Sequence, residues 1–245
     1  MSNLYKSLAE VYEAMYKTFI NYDEEFALYS SLIKKYHCTS VVEIGCGTGN
    51  LAGRFADNGF KYTGLDMSDD MLAIAKKNHP DVDFLQAAMQ HFSLPEPAAA
   101  AIITGRTISY LLTNKDVMDS LLAIHSNLKT PAIVCFDFID ANKFIPHIGS
   151  DAVIHKAAAG NKKFHRESFW TVNLAHSWTF NWLSVFYEEG EDGSLVKIGQ
   201  DDSTIRAFTK DEIILFLQLA GFNIKEIFPR AAYAFDTFLV VAEKN

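Results

Sequence analysis

Apolar residues recur at three- and four-residue spacing over residues 4–17 (Leu4, Leu8, Val11, Met15) and 23–36 (Phe26, Tyr29, Leu32, Ile33), the period of a helix with one buried face. The period then changes. Ser40-Val41-Val42-Glu43-Ile44 is a nearly unbroken apolar run, which predicts a buried strand ending in Gly45-Cys46-Gly47-Thr48-Gly49. Helical spacing resumes after Asn50 with Leu51 and Phe55 and stops at Asn58-Gly59, a pair suited to ending a helix. Residues 61–66 predict a second strand, and Ser68 caps a helix with Asp69 and Asp70 at its positive end. Strands over 82–86, 99–104 and 132–138 and a helix over 115–128 continue the alternation. Such alternation predicts βαβ units and a parallel, doubly wound sheet.

Residues 142–206 break this pattern. Aromatic and β-branched segments at 163–173, 176–188 and 195–200, with turn signals at Gly190 and Asp192-Gly193, predict an inserted antiparallel sheet. Helical spacing returns over 209–220, with Thr209 as N-cap, Glu212 at the capping-box position and Gly221 as terminator. Two strands follow, over 222–228 and 235–242. The expected division is an N-terminal helical part, 1–36, a main α/β domain from 37–141 and 207–245, and an inserted subdomain, 142–206.

With 245 residues, 49% hydrophobic and 21% charged, the chain has ample core and is not a disordered or low-complexity type. Its net charge of −8 repels phosphate backbones, so no nucleic-acid partner is expected. Cys38, Cys46 and Cys135 are odd in number and lack metal-like spacing, which suits reduced thiols in the cytoplasm. The amphipathic opening carries Glu10 and Glu13, unlike a signal peptide, and no apolar run reaches the roughly 18 residues of a membrane span. His147, His155, His165 and His176 have no i, i+4 partners, so no metal site is expected.

The turn after the first strand carries the chemistry. Glycines there let a ligand approach the backbone amides beside a positive helix end. A dinucleotide fingerprint starting at Gly45 needs glycine where Asn50 stands, so the usual third glycine of a pyrophosphate site is missing. Asp66 ends the second strand, 17 residues past Gly49, where a carboxylate can accept both hydroxyls of a ribose. That geometry suits nicotinamide and other adenosyl ligands alike.

VVEIGCGTG, GLDMSDDMLAIAKK and the tail RAFTKDEIILFLQLAGFNIKEI…FLVVAEK together resemble the class I S-adenosylmethionine-dependent methyltransferases over most of the chain. The resemblance implies a Rossmann-like, doubly wound sheet of seven strands with the last antiparallel, plus the inserted antiparallel sheet. It implies S-adenosyl-L-methionine as cofactor, with Gly45, Cys46 and Gly47 along its methionine and ribose portion. Glu43 and Asp66 complete that motif, Asp66 on the ribose; Met67 lies against the adenine and Thr104 faces the methionine end. Relatives often carry Gly-Asp-Met or Gly-Asp-Ala after the third strand, and here Ala88 occupies the acidic position, leaving backbone of Ala88 and Met89 for the adenine. Leu128-Lys129-Thr130-Pro131 stands where relatives have a Pro-Gly turn.

The N-terminal tyrosines are similar to those of small-molecule methyltransferases, where this helix closes over the cofactor, so Tyr12 and Tyr16 are candidate lid contacts. The expected activity is methyl transfer to N or O of a small metabolite. Arg106, Tyr110 and His147 are the candidate catalytic residues, each with an alternative as salt bridge, core or surface group. The inserted sheet, with Trp170, Trp178 and Trp182, is a candidate pocket roof or homodimer face. A nicotinamide oxidoreductase and a non-catalytic adenosyl-binding or scaffold protein stand as alternatives, the second supported by Ala88.

Overall fold

The computed structural model describes residues 11, 15–18, 20–149, 151–232 and 235–245. Helix α1 (Tyr22–Lys35) is capped by the Asn21 side chain, which accepts from the Asp23 and Glu24 amides. The alternation follows: β1 (Ser40–Ile44), α2 (Ala52–Asp57), β2 (Lys61–Asp66), α3 (Asp69–Asn78), β3 (Asp83–Gln86), β4 (Ala98–Ile103), α4 (Asn114–Ser126) and β5 (Leu128–Ile139). A short α5 (Ala141–Phe144) leads to β6 (Val153–Ala159), β7 (Lys162–Val172), β8 (Thr179–Glu189) and β9 (Leu195–Arg206). The chain closes with α6 (Lys210–Leu219), β10 (Phe222–Ala232) and β11 (Phe235–Lys244).

Seven strands form one sheet in the order β10-β11-β5-β4-β1-β2-β3. Neighbours from β5 to β3 are parallel, and β11 runs against both β5 and β10. The expected architecture is therefore present, including the reversed last strand. Strand order turns at β1 and β4, and the crevice at their carboxyl ends is where open α/β sheets receive ligands.

Alternation along the strands divides the core. Val42, Ile44, Ala101, Ile103, Val134, Phe136 and Phe138 pack with α4 and α6; Val41, Ala100, Ile102, Ile133 and Cys135 pack on the other face with α1 and α2. Glu43 and Asp137 share the parity of the second group, so both buried carboxylates belong to the α1 and α2 face.

The inserted part is a four-stranded antiparallel sheet, β6-β7-β8-β9. Sequence reading passed over β6, VIHKAAA, whose three alanines have weak strand preference; the strand is held by its pairing with β7. It also stopped β9 at Gln200, short of the polar Asp201-Asp202-Ser203. Asp201 and Ser203 are buried instead, and the Ser203 hydroxyl donates to Asp201 Oδ2 at 2.8 Å. Leu128 to Pro131, in the place of the relatives' Pro-Gly turn, is the bulged start of β5, where the pairing shifts between Ala98 and Ala100.

Phe138 is fully buried among Phe136, Phe208 and Phe238, and stacks on Phe238 at 5.8 Å. Phe138→Ala is expected to cost about 3–5 kcal/mol, read from urea unfolding midpoints.

Candidate functional site

The glycine turn is shaped by what lies against it. Gly45 has φ +75°, and a Cβ there would lie 2.4 Å from Thr107 Cγ2, so only glycine lets the turn after β4 approach. The Gly45 and Cys46 amides donate to the Leu65 carbonyl at 2.7 and 3.0 Å, clamping the turn to β2. Gly47, at φ +54°, has nothing within 4 Å of where a Cβ would stand, which leaves an open cradle facing the crevice.

Asp66 ends β2 beside that cradle. Its Oδ2 accepts from the Gly47 amide and its Oδ1 from the Ser68 amide, both at 2.9 Å. Burial raises its pKa, opposed by these amide hydrogen bonds. Behind the turn, Glu43 Oε2 accepts from Tyr62 Oη and Oε1 from Thr104 Oγ1, both at 2.6 Å. Burial pushes the Glu43 carboxyl up to about 7 despite those two donors.

A second wall faces this one. Arg106 follows Gly105 at the end of β4, takes the left-handed conformation at φ 61°, and is 6% exposed. Its amide donates to Asp137 Oδ1 at 3.1 Å, and its guanidinium lies over the Phe235 ring at 5.1 Å. Arg230 on β10 bridges two acids: it pairs with Glu25 of α1 and stands 3.6 Å from Asp137 Oδ2. Burial raises the Glu25 pKa against the pull of Arg230.

Between the walls lies a cavity of about 630 Å³, within the range of about 300–1,000 Å³ typical of small-molecule sites. It gathers Tyr16, Glu43, Gly45, Cys46, Gly47, Asp66, Met67, Met89 and Thr104, together with Arg106 and Tyr110. Met67 is 52% exposed at its rim. Two of the expected residues are not brought in. The lining takes Ala87, Met89 and Gln90 and passes over Ala88, which is bridged to His91. His147 is exposed on the short turn after α5, with Nδ1 2.6 Å from the Lys143 carbonyl, and does not reach the cavity. Tyr12 lies outside the described residues.

Sequence reading missed Glu25, Asp137, Arg230 and Phe235, which line the cavity together with Trp182, expected there as part of a pocket roof. Asp137 carries a signal, a lone acid in the apolar run Ile133–Ile139, as Glu43 does in β1. Glu25 carries none, standing beside Asp23 and Glu24 in the first turn of α1. Among the described residues no group of three or more His, Cys, Asp or Glu side chains is placed to share a metal ion, and no helix is long and apolar enough to cross a membrane.

Strand order, reversed β11 and the glycine–acid crevice define the class I methyltransferase fold. Residues 41–130 match the methyltransferase domain family. A protein of Geobacillus sp. (strain WCH70), whose name assigns it to the methyltransferases, is 30% identical over 193 residues, covering 76% of this chain and 75% of its own. The dTDP-3-amino-3,4,6-trideoxy-alpha-D-glucopyranose N,N-dimethyltransferase of Streptomyces venezuelae is 27% identical over 96 residues, 39% of this chain and 40% of its own. Among solved structures, Streptomyces venezuelae DesVI superposes with a TM-score of 0.82 at 20% identity, covering 96% of this chain and 98% of that one. An S-adenosylmethionine-bound amino pentose methyltransferase from Micromonospora echinaspora gives 0.81 at 20% identity, over 96% and 97%. The chain belongs to the class I S-adenosylmethionine-dependent methyltransferase family.

Glu43 sets a pH dependence. Its pKa rises from 4.5 unfolded to about 7 folded, so its stabilising contribution is complete below about pH 4.5 and is lost as pH climbs through 7. The loss is about 3 kcal/mol at most. Glu43→Gln is expected to flatten the fall in stability between about pH 5 and 8, measured by urea unfolding across that range.

Proposed function

We propose that this chain transfers a methyl group from S-adenosyl-L-methionine to N or O of a small metabolite. The observation that carries the reading is the open Gly47 cradle beside an amide-held Asp66, at the mouth of a cavity larger than a nucleoside needs. The donor supplies an intrinsically activated methyl on a sulfonium, so the protein's work is mainly placement and exclusion of water.

The residues fit that work. Asp66, fixed by two amides, offers its carboxylate to the ribose diol; Gly45, Cys46 and Gly47 line the ribose and methionine portion. Thr104 and the Arg106 turn bound the methionine end, while Met67, Ala87, Met89 and Gln90 frame the adenine. Ala88 thus removes an acid from near the adenine without opening a gap in the lining. Tyr16 covers the cradle from the N-terminal side, where it packs with Met15, Phe164 and Phe186 of the inserted part. Glu43 acts one layer back, holding Thr104 and Tyr62.

The division into residues 1–36, 37–141 with 207–245, and 142–206 gives each part a role in this reading: cover, donor site and acceptor roof. A scaffold role would suit a cavity plugged by aromatics. Phe144 instead packs against Trp170, Phe180 and Phe235, and the cavity stays open. Pairing of two copies through the outer face of the inserted sheet, with Phe169, Leu183 and Tyr187 half-buried there, belongs to the same reading, as does a cytoplasmic location.

Calorimetric titration with S-adenosylhomocysteine is expected to show saturable binding, weakened about 10- to 100-fold by Asp66→Ala through loss of charge-assisted hydrogen bonds. No saturation up to about 1 mM, or an unchanged affinity in the variant, overturns the reading.

A further inference from the structure

We propose that the base end of this cavity takes a 6-oxopurine nucleoside as readily as an adenine one, with Gln90 as the residue that sets this tolerance. The proposal rests on the methyl-transfer reading above and extends it to the base of the donor. The carboxyl edge of the sheet puts three segments in succession: the Gly47 cradle after β1, Asp66 at the end of β2, and the chain after β3. Asp66 pairs with Gln86, and the Ala87 amide donates to the Asp66 carbonyl at 3.0 Å, so the chain leaves β3 level with that acid. Thr104 after β4 and Asp137 on β5 lie on the opposite side of the cradle. A nucleoside whose ribose meets Asp66 therefore carries its methionine chain toward β4 and its base toward Ala87, Met89 and Gln90.

The lining there reads the faces of a base and leaves its edge to one side chain. Met67, Met71, Ala87 and Met89 line this end. A thioether packs against any purine ring and is only a weak hydrogen-bond acceptor. Ser68 is committed to the cap of α3, its Oγ accepting from the Met71 amide at 3.4 Å. Of the three side-chain amides in the described lining, two are also committed: Asn21 donates to Glu24 and Asn50 to Thr48. Gln90 is half-buried in the lining, and no described residue bonds its amide group. Its backbone is held instead, by a turn in which the His91 amide donates to the Ala88 carbonyl at 3.0 Å.

A carboxamide carries a donor and an acceptor side by side, and a half-turn about its last bond exchanges them. In one setting its oxygen accepts from the 6-amino group of adenine while its nitrogen donates to N1. In the other its nitrogen donates to the 6-oxygen of hypoxanthine while its oxygen accepts from N1–H. Both pairings make two hydrogen bonds, and no bond from a described residue biases the rotation. A carboxylate at this place only accepts, so it suits the amino group and repels a 6-oxygen. The carboxylates of the described lining are Glu24, Glu25, Glu43, Asp66 and Asp137, and none of them stands on the segment after β3.

The test uses the full chain and two donor-site probes that differ at one position of the base, S-adenosylhomocysteine and S-inosylhomocysteine, each titrated by calorimetry. Their affinities are expected to lie within about 3-fold of one another. Gln90→Glu keeps the shape and leaves only acceptors, and is expected to widen the ratio to about 10-fold or more in favour of the adenine probe. Gln90→Met removes both hydrogen bonds and is expected to weaken the two probes alike, by about 3-fold or more. A cooperative thermal transition in the absence of probe reports that each variant folds. A ratio beyond about 3-fold in the unaltered chain, a ratio unmoved by Gln90→Glu, or two affinities unmoved by Gln90→Met overturns the proposal. Absence of saturable binding by either probe in the unaltered chain instead removes the methyl-transfer reading itself.

Discussion

Three adjacent strands part company at the carboxyl edge of the sheet, and Glu43 is the group that holds them in register as they do. It stands on β1, takes one hydroxyl from Tyr62 on β2 and another from Thr104 just past β4. A carboxylate buried in an apolar layer is costly unless hydrogen-bonded, and these two donors offset that cost. With this bridge in place, the chain after β1 has room only for a glycine at 45, because the turn carrying Thr107 closes on it. The cradle at Gly47 and the placement of Asp66 follow from the same constraint, since the Gly47 amide and the Asp66 carboxylate fix each other.

The cavity keeps its acids in two different ways. Asp66 is held by backbone amides, which carry no net charge, so its negative charge stays available to a ligand. Glu25 and Asp137 are held by an arginine, which stabilises them but also ties α1 to β5 and β10. Breaking such a pair on one side leaves a buried charge without its partner, a loss of about 3–5 kcal/mol where burial is complete. The first arrangement belongs to a binding contact. The second joins a contact to the position of a helix, so the wall around Asp137 and helix α1 are mechanically one unit.

Local periodicity made the parallel sheet legible, and the glycine turn with Glu43 and Asp66 made one wall of the cavity legible. Each rests on residues close in sequence or on a strand pattern that repeats. The rest depended on contacts that no local pattern encodes. β6 is a strand because β7 pairs with it, and β9 continues through Asp201-Asp202-Ser203 because the inner face of that sheet buries polar side chains. His147 looked well placed as a residue shortly after β5, but the α5 turn carries it outward. Ala88 occupies the position expected of a ligand-facing acid, yet the chain there turns its neighbours inward instead. Arg230 and Glu25 are 205 positions apart, and only the β10–β11 hairpin beside α1 brings them together.

Asp137 explains why this distant wall is built the way it is. Gly105 and Arg106 both adopt positive φ, a conformation that costs a residue such as arginine about 1–3 kcal/mol. The Arg106 amide is directed at Asp137 by that turn, and the hydrogen bond to a buried carboxylate offsets the strain. The same carboxylate draws Arg230 inward, and Arg230 draws Glu25. Four segments remote in sequence therefore converge because one acid on β5 accepts from a strained turn on one side and an arginine on the other. Removing its charge while keeping its shape loosens the turn and the helix together, so charge at this single position governs how the cavity is walled.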